Sequence, residues 1–196
     1  MFTGIIETTG RVVGVVKEES NVHFEIESII APELKIDQSV AHNGVCLTVT
    51  AIHEQRYTVT AINETLLKTN LGELKKGDLI NLERCVPMNG RFDGHVVQGH
   101  VDQIGKVVKV EEQHGSWLFT FEYDPSTGNV TVEKGSICIN GTSLTCFNSK
   151  DNGFSVAIIP YTFEHTNFKQ LKEGDTVNLE FDIIGKYVQR LLQRKD

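Results

Sequence analysis

One stretch of the sequence occurs twice, first as Ser39-Val40-Ala41-His42-Asn43-Gly44-Val45-Cys46-Leu47-Thr48 and again as Ser136-Ile137-Cys138-Ile139-Asn140-Gly141-Thr142-Ser143-Leu144-Thr145. The Asn-Gly pair lies at the same place in both copies, and Asn140 follows Asn43 by 97 residues. At that offset residues 76–83 (KGDLINLE) match residues 173–180 (EGDTVNLE). The period is far too long for a solenoid repeat, and each copy is large enough to hold a small core. The sequence therefore predicts one fold built twice in tandem.

Composition limits the classes of function that fit the chain. Its 196 residues are 39% hydrophobic and 23% charged, as in ordinary soluble globular proteins. A net charge of −7 disfavours nucleic-acid binding, and the one basic cluster, residues 190–195, is typical of a solvated helix end. No apolar run is long enough to span a membrane, and the N-terminus has no signal-peptide pattern. We therefore expect a cytoplasmic protein with neither nucleic-acid nor membrane partners.

Metal binding is not expected from the cysteines or the histidines. The four cysteines form no Cys-x-x-Cys pair, and in a reducing cytoplasm they should be free thiols. His95 and His100 are five residues apart, so on an extended strand they point to opposite faces. A single histidine near a thiol could orient it or move a proton near neutral pH. A hydrogen-bonded structural histidine accounts equally well for His100, and better for His95.

Period-2 alternation of apolar and polar residues dominates the chain and predicts a mostly β fold. Trp117, Phe119, Phe121 and Tyr123, for example, share one face of a predicted strand. Asn-Gly and Asp-Gly turn signals recur at short intervals. A small antiparallel barrel in each half is the economical arrangement, because closure removes exposed strand edges. We expect domains at residues 1–90 and 91–182, followed by a C-terminal segment at 183–196.

Helical patterns are sparse. Short helical turns are predicted at residues 64–69 and at the matching residues 161–166. The clearest case is the C-terminus, where Ile184, Tyr187, Val188, Leu191 and Leu192 follow the spacing of an amphipathic helix. This helix has no counterpart in the first copy. Its apolar stripe could pack on another subunit or on its own barrel, and the pattern favours neither.

A polar strand face carries the first candidate site residues. Cys46, Thr48 and Thr50 share one face of the strand at residues 45–52, and in the second copy Ser143 and Thr145 take the first two places. This face could line a surface pocket. The alternative is that Cys46 is a small buried hydrophobic residue, as free cysteines often are.

Two similar barrels offer two similar pockets. Such a protein can hold two copies of one small molecule, and differences between the pockets would make those copies chemically unequal. The differences include Cys46 against Ser143 and His100 against Ile5. This pattern suits a reaction between two identical molecules. A duplication that only doubled a binding capacity fits the residues equally well.

Several motifs together resemble riboflavin synthase of the alpha-chain type, in order and over essentially the whole chain. They are Met1-Phe2-Thr3-Gly4-Ile5-Ile6-Glu7, Asn43-Gly44-Val45-Cys46-Leu47-Thr48-Val49-Thr50, Glu64-Thr65-Leu66, Asn70-Leu71-Gly72, Asn89-Gly90-Arg91-Phe92, Gly94-His95-Val96-Val97-Gln98-Gly99-His100-Val101-Asp102 and Asn140-Gly141-Thr142-Ser143-Leu144-Thr145. The resemblance implies two six-stranded Greek-key barrels and a C-terminal helix that assembles a homotrimer. It implies a dismutation in which two molecules of 6,7-dimethyl-8-ribityllumazine exchange a four-carbon unit. The products are riboflavin and 5-amino-6-ribitylaminouracil, and no metal or cofactor is implied.

The resemblance also implies where the substrates bind. Each site would lie between the N-terminal barrel of one subunit and the C-terminal barrel of a neighbour, and lumazine synthase is a candidate partner. The first pocket would use Gly4, Ile5, Ile6, Ser39, Cys46, Leu47, Thr48, Ala61, Ile62, Glu64, Thr65, Gly99, His100 and Val101. The second would use Lys134, Ser143, Leu144, Thr145, Ile159, Tyr161 and Thr162.

Catalytic roles fall on three of these residues. His100 is the candidate for deprotonating the acidic C7 methyl group of one lumazine. Ser39 and Cys46 are candidates for activating or stabilising a nucleophile that adds at C7 of the other. The main rival function is a lumazine- or flavin-binding antenna protein, which has the same two barrels. Such relatives tend to lose the active-site histidine, so the presence of His100 and Cys46 favours the enzyme.

Overall fold

The computed structural model describes residues 1–193, and the last three residues of the predicted C-terminal segment lie outside this range. Two closed barrels of six antiparallel strands follow one another along the chain. The first contains β1 (Thr8–Glu18), β2 (Asn21–Glu27), β3 (Ser39–His42), β4 (Val45–His53), β5 (Arg56–Ala61) and β6 (Leu79–Arg84). The second contains β7 (Gln103–Glu112), β8 (Trp117–Tyr123), β9 (Ser136–Ile139), β10 (Thr142–Lys150), β11 (Gly153–Ile158) and β12 (Thr176–Phe181).

Both barrels have the same strand order. Around the first it is β1-β2-β5-β4-β3-β6, and around the second β7-β8-β11-β10-β9-β12. In each, the third and fourth strands form a hairpin that lies between the fifth and sixth, which is the Greek-key arrangement. The all-β fold with two six-stranded barrels is therefore confirmed.

Three short α-helices lie outside the barrel strands in the described chain. They are α1 (Asn63–Lys68), α2 (Pro160–His165) and α3 (Ile183–Leu192). The first two occupy equivalent places after the fifth strand of each barrel, as predicted from the repeat. Asp182 caps α3 by accepting a hydrogen bond from the Ile184 N–H at 3.0 Å. None of the helices in the described range is both long and apolar enough to cross a membrane.

Each barrel encloses its own apolar core, because alternate residues of every strand point inward. In β8 the buried residues are Phe119, Phe121 and Tyr123, and the edge of Phe168 packs on Phe119 with ring centroids 5.2 Å apart. The first core contains a hydrogen-bonded polar pair. His42 Nε2 lies 2.8 Å from the Tyr57 hydroxyl, and both side chains are buried.

The second barrel replaces this polar pair with Ile139 and Phe154 at the matching offset. The two cores therefore differ in chemistry although their strand orders are the same. Of the two cores, only the first contains an imidazole, which must stay neutral to remain buried without cost.

Buried asparagines join the two barrels. Asn81 Nδ2 donates to the carbonyl oxygen of Asn140 at 2.9 Å, and Asn178 Nδ2 donates to the carbonyl oxygen of Asn43 at 2.9 Å. These reciprocal bonds relate the barrels by an approximate two-fold axis. Because unpaired amides are costly in a dry interface, the bonds fix how one barrel sits on the other.

A second reciprocal set extends this network. The backbone N–H of Asn70 donates to Asn178 Oδ1 at 2.7 Å, and that of Asn167 donates to Asn81 Oδ1 at 2.7 Å. The repeated asparagines thus have an interfacial role that the sequence alone did not reveal.

The segments that lead into each barrel also exchange partners. Phe2 and Val97 form a bridge in which each N–H donates to the other's carbonyl oxygen, at 2.8 and 3.1 Å. Both side chains are buried between the barrels, together with Ala41 and Cys138. Each lead-in segment then passes over the barrel of the opposite half, which decides the composition of the candidate site.

Candidate active site

A cleft of about 500 Å³ lies on the outer face of β4 in the first barrel. Six residues predicted for the first pocket line it: Cys46, Glu64, Thr65, Gly99, His100 and Val101. The remaining lining residues are Val45, Lys68, Thr69, Gln98, Asp102 and Lys186. Cys46, on the polar face of β4, therefore lines a surface cleft and does not point into the barrel interior.

Cys46 lies at the floor of this first pocket. Its backbone N–H donates to the carbonyl oxygen of Gly99 at 2.9 Å, which brings residues 98–102 against the first barrel. Burial raises the pKa of the Cys46 thiol, and a hydrogen bond with Ser39 partly offsets the increase in pKa. At neutral pH the side chain is therefore a thiol. It can donate a hydrogen bond, but it is not a standing thiolate.

His100 is held at the pocket by its backbone. Its N–H donates to Glu180 Oε2 at 2.9 Å, while its imidazole is exposed to the cleft. The ring is therefore open to contact with a molecule bound in the cleft.

Two buried glutamates hold the backbone of the two lead-in segments, and sequence reasoning missed this role. Glu180 accepts hydrogen bonds from the backbone N–H groups of Gln98, Gly99 and His100 at 2.6–2.9 Å. Glu83 accepts the equivalent bonds from Thr3 and Gly4 at 2.7 and 3.0 Å. Their repetition at an offset of 97 residues was the available signal.

Burial raises the pKa of both carboxyl groups, and the backbone N–H donors oppose this increase in pKa. Each glutamate accepts hydrogen bonds from backbone N–H groups of one lead-in segment. Without the glutamate, these N–H groups would be unpaired. These two side chains therefore set the backbone conformation around Gly4 and Gly99.

Gly4, predicted with Ile5 and Ile6 for the first pocket, lies instead against the second barrel. The carbonyl oxygen of Gly4 accepts a hydrogen bond from the Ser143 N–H at 2.7 Å, and a Cβ on Gly4 would lie 2.6 Å from Ser143 Cβ. The N-terminal segment therefore lies on the second barrel. The cause is the exchange of lead-in segments, since Gly99 occupies the equivalent place on the first.

His95 has a closer relation to the second pocket than its sequence pattern indicated. Its Nδ1 lies 2.6 Å from the Ser143 hydroxyl. Burial lowers the pKa of His95, so its imidazole is neutral at neutral pH. Ser143 thus contacts His95 directly, whereas Cys46 and His100 line the same cleft on the first barrel.

Other predicted residues of the second pocket lie on the surface of that barrel. Ile159 and Tyr161 retain 59% and 69% of their exposure, and Thr145 is exposed. Lys134 Nζ lies 5.2 Å from the ring centroid of Phe147. Ser143 and Thr162 are half-buried, and the half-buried side chain of Leu144 packs on the barrel core.

Two predicted residues of the first pocket point inward. Leu47 and Ala61 belong to the first core, with 7% and 0% exposure. Neighbours of pocket-facing residues on a strand face the opposite side, so these two can offer a ligand only their backbone. Thr48 and Ile62 are exposed, and Ser39 is half-buried. Within residues 1–193, no cluster of three or more histidine, cysteine or acidic residues is placed to hold a metal ion.

Comparison with known proteins also finds two copies of one domain in the chain. The Lumazine binding domain family matches residues 3–85 and again residues 98–182. The fold is similar to that of LumP complexed with riboflavin, with a TM-score of 0.85, 23% identity, and coverage of 92% of this chain and 99% of that one. LumP complexed with 6,7-dimethyl-8-(1'-D-ribityl) lumazine has a TM-score of 0.83 and 21% identity over 92% of this chain and 98% of that one. Fold and pockets define a protein of two tandem lumazine-binding domains.

Relatives of higher sequence identity show which family of lumazine-binding proteins the chain belongs to. Riboflavin synthase of Actinobacillus pleuropneumoniae is 40% identical over 196 residues, which are 100% of this chain and 91% of that protein. Riboflavin synthase of Bacillus subtilis is 40% identical over 99% of this chain and 91% of its own, and that of Schizosaccharomyces pombe is 39% identical over 98% and 94%. The chain belongs to the riboflavin synthase family.

Proposed function

We propose that this protein is a riboflavin synthase, a transferase that converts two molecules of 6,7-dimethyl-8-ribityllumazine into riboflavin and 5-amino-6-ribitylaminouracil. The observation that carries the proposal is a pair of equivalent sites on the two barrels that carry unequal side chains. Both have the same backbone frame, set by Glu180 and Glu83, yet one presents Cys46 and the other Ser143. Full-length relatives named riboflavin synthase, at about 40% identity, support the same activity.

Binding and orientation supply most of the proposed catalysis. The lumazine C7 methyl group is acidic because its anion delocalises into the ring, so a modest base suffices. Holding a methyl carbanion against a second, electrophilic lumazine replaces a bimolecular encounter with an oriented one. Such orientation can lower a barrier by up to about 7–11 kcal/mol.

The proposed roles of the side chains follow from their placement. The exposed imidazole of His100 takes a proton from the C7 methyl group of the first-pocket lumazine. The neutral thiol of Cys46 and the hydroxyl of Ser39 hydrogen-bond a nucleophile that adds at C7 of the other lumazine. The backbone groups of Gly4 and Gly99 lie beside the two pockets and can bind the edge of each heterocycle.

Assembly as a homotrimer through α3 is also proposed. Ile184, Tyr187, Val188, Leu191 and Leu192 on this helix are each 51–69% exposed, which is unusual for five large apolar residues on one short helix. A neighbouring subunit would cover them and bring its second pocket to the first pocket of this one. The cytoplasm is the proposed location, in keeping with four free cysteines, and lumazine synthase the proposed source of substrate.

A lumazine- or flavin-binding antenna protein is the weaker alternative. LumP shares the fold at only 21–23% identity, while the riboflavin synthases reach 37–40%. Incubation of the purified protein with the lumazine and no added metal separates the two. Riboflavin should form with one molecule of the uracil product per flavin. A stable lumazine complex without flavin formation would overturn the proposal.

A further inference from the structure

The segment 98–102 lines the first pocket but is held almost entirely by the end of the second barrel. Glu180 in β12 accepts three of its backbone N–H groups. Asp102, at the end of the segment, accepts a hydrogen bond from the Phe181 N–H at 2.8 Å. Its carboxylate also pairs with Lys186 of α3 at 2.6 Å. The position of His100 in the pocket therefore depends on residues far from the first barrel in sequence.

The Asp102–Lys186 pair is the least exposed ion pair in residues 1–193. The side chains of Lys186 and Asp102 keep 24% and 19% of their exposure, whereas every other ion pair has a partner at least 34% exposed. Removing one member would leave the other charge poorly solvated, so this pair should be hard to break and costly to lose.

In the first copy of the fold, a different ion pair holds the equivalent segment. Glu7 stands at the position equivalent to Asp102, and it pairs with Arg84 at the end of β6 in its own barrel. Arg84 is shared with Glu33 at 2.9 Å. Only the segment that lines the first pocket is tied to a helix beyond the barrels.

Lys186 also lies on a particular face of α3. It is half-buried, as are Ile183 and Gln189, whose Nε2 donates to the Gly128 carbonyl at 2.7 Å. The exposed apolar residues Ile184, Val188 and Leu191 lie on the opposite face, as the helical spacing requires. One helix thus carries both the proposed subunit contact and the tether of the pocket segment.

We propose that Lys186 is a positioning residue for the first pocket. Its ammonium group fixes Asp102, and Asp102 fixes the segment that carries Gly99, His100 and Val101 against Cys46. The inference rests on the proposed function, because it takes the first pocket to hold one of two lumazine molecules. It adds a residue outside both barrels to the machinery that distinguishes the two sites.

The test compares Lys186→Met, Lys186→Arg and the unmodified protein, with riboflavin as the binding probe and lumazine as the substrate. Lys186→Met should weaken riboflavin binding at one class of site by about tenfold and leave the other unchanged. It should raise KM for lumazine by a similar factor, and Lys186→Arg should restore both values. Lys109→Met is the matched control, because this lysine forms a more exposed ion pair with Glu111.

A second variant tests the same interaction if Lys186→Met fails to fold. Asp102→Asn removes the charge but keeps an acceptor for the Phe181 N–H, and it should reproduce the loss at one class of site. The double variant Asp102→Asn with Lys186→Met should be no worse than either single change, since both break one interaction. Urea unfolding of each variant reports whether the fold is intact.

Three results would overturn the inference: unchanged affinity at both classes of site, equal weakening at both, or failure of Lys186→Arg to restore binding. A different result would contradict the proposed function. A protein that bound riboflavin at two classes of site but formed none from lumazine would contradict the synthase activity. The positioning role of Lys186 would then still be decided by the binding data.

Discussion

Gly44 and Gly141 meet backbone to backbone where the two barrels join. A Cβ on Gly44 would lie 2.8 Å from the Gly141 nitrogen, and a Cβ on Gly141 would lie 2.8 Å from the Gly44 nitrogen. Both glycines have positive φ angles, 79° and 81°, and follow asparagines that also have positive φ. The repeated Asn-Gly turn is therefore required for two reasons. Its residues adopt a left-handed backbone conformation, and its glycine allows the close contact between the domains.

Replacing Gly44 by alanine should lower the free energy of unfolding by about 2–4 kcal/mol. Left-handed backbone strain accounts for roughly 1–2 kcal/mol, and the clash with Gly141 accounts for the remainder. Urea denaturation measures the change. Gly77→Ala is the control, since Gly77 also has a positive φ but no atom within 4 Å of an added Cβ. Equal losses in the two variants would mean that the close approach is unimportant.

Asn81→Ala should destabilise the protein by about 3 kcal/mol. The change removes the donor to the Asn140 carbonyl and the acceptor of the Asn167 N–H, leaving both groups buried without a partner. The measurement is again urea denaturation. Asn152→Ala, at an exposed turn, should cost less than about 1 kcal/mol. Similar stability of the two variants would contradict a structural role for the asparagine network.

Acidification should destabilise the first barrel through His42. Burial lowers the pKa of His42 to about 4, against an ordinary value of 6.5. Between these pH values the unfolded chain binds a proton that the folded state excludes, so stability falls as pH decreases. The contribution is fully present above about pH 6.5, and about 3 kcal/mol is lost by pH 4.

The measurement for His42 is the free energy of unfolding at pH 7, 6 and 5. The double variant His42→Ile with Tyr57→Phe copies the residues of the second barrel and should remove this part of the pH dependence. His53→Gln, at an exposed histidine, should retain it. An unchanged pH profile in the double variant would show that another group is responsible.

Cys46→Ser should keep more activity than Cys46→Ala. Because burial keeps the thiol protonated, its proposed contribution is a donated hydrogen bond, which a serine hydroxyl can also make. Steady-state turnover of lumazine is the measurement. Cys85→Ala tests a neighbouring half-buried thiol and should stay near the unmodified rate. Full activity in Cys46→Ala would remove this residue from the mechanism.

His100→Ala should lower kcat by about 100-fold or more, the usual size of a general-base contribution. The fold should be unaffected, because the interaction that holds this residue in place is made by its backbone N–H and not by its ring. Single-turnover kinetics with bound lumazine separates the chemical step from binding. Turnover equal to that of the unmodified protein would assign the proton transfer to another group.

Local pattern predicted much of the fold. Period-2 alternation indicated strands, the repeat indicated two barrels, and helical spacing indicated α3. These features depend on neighbouring residues along one strand or helix, and so they can be read from a single sequence. The shared pocket of Cys46 and His100 was instead expected from the resemblance to a known family, and the structure brings both residues to one cleft.

Only the tertiary structure decided which barrel receives each lead-in segment, and thus that Gly4 meets Ser143 while Gly99 meets Cys46. It also revealed the pairing of Asp102 with Lys186, 84 positions apart in the chain. Such contacts depend on how two closed barrels pack around an approximate two-fold axis. Strand alternation shows which side chains of a strand point into the barrel, but it carries no information about which distant backbone lies opposite them.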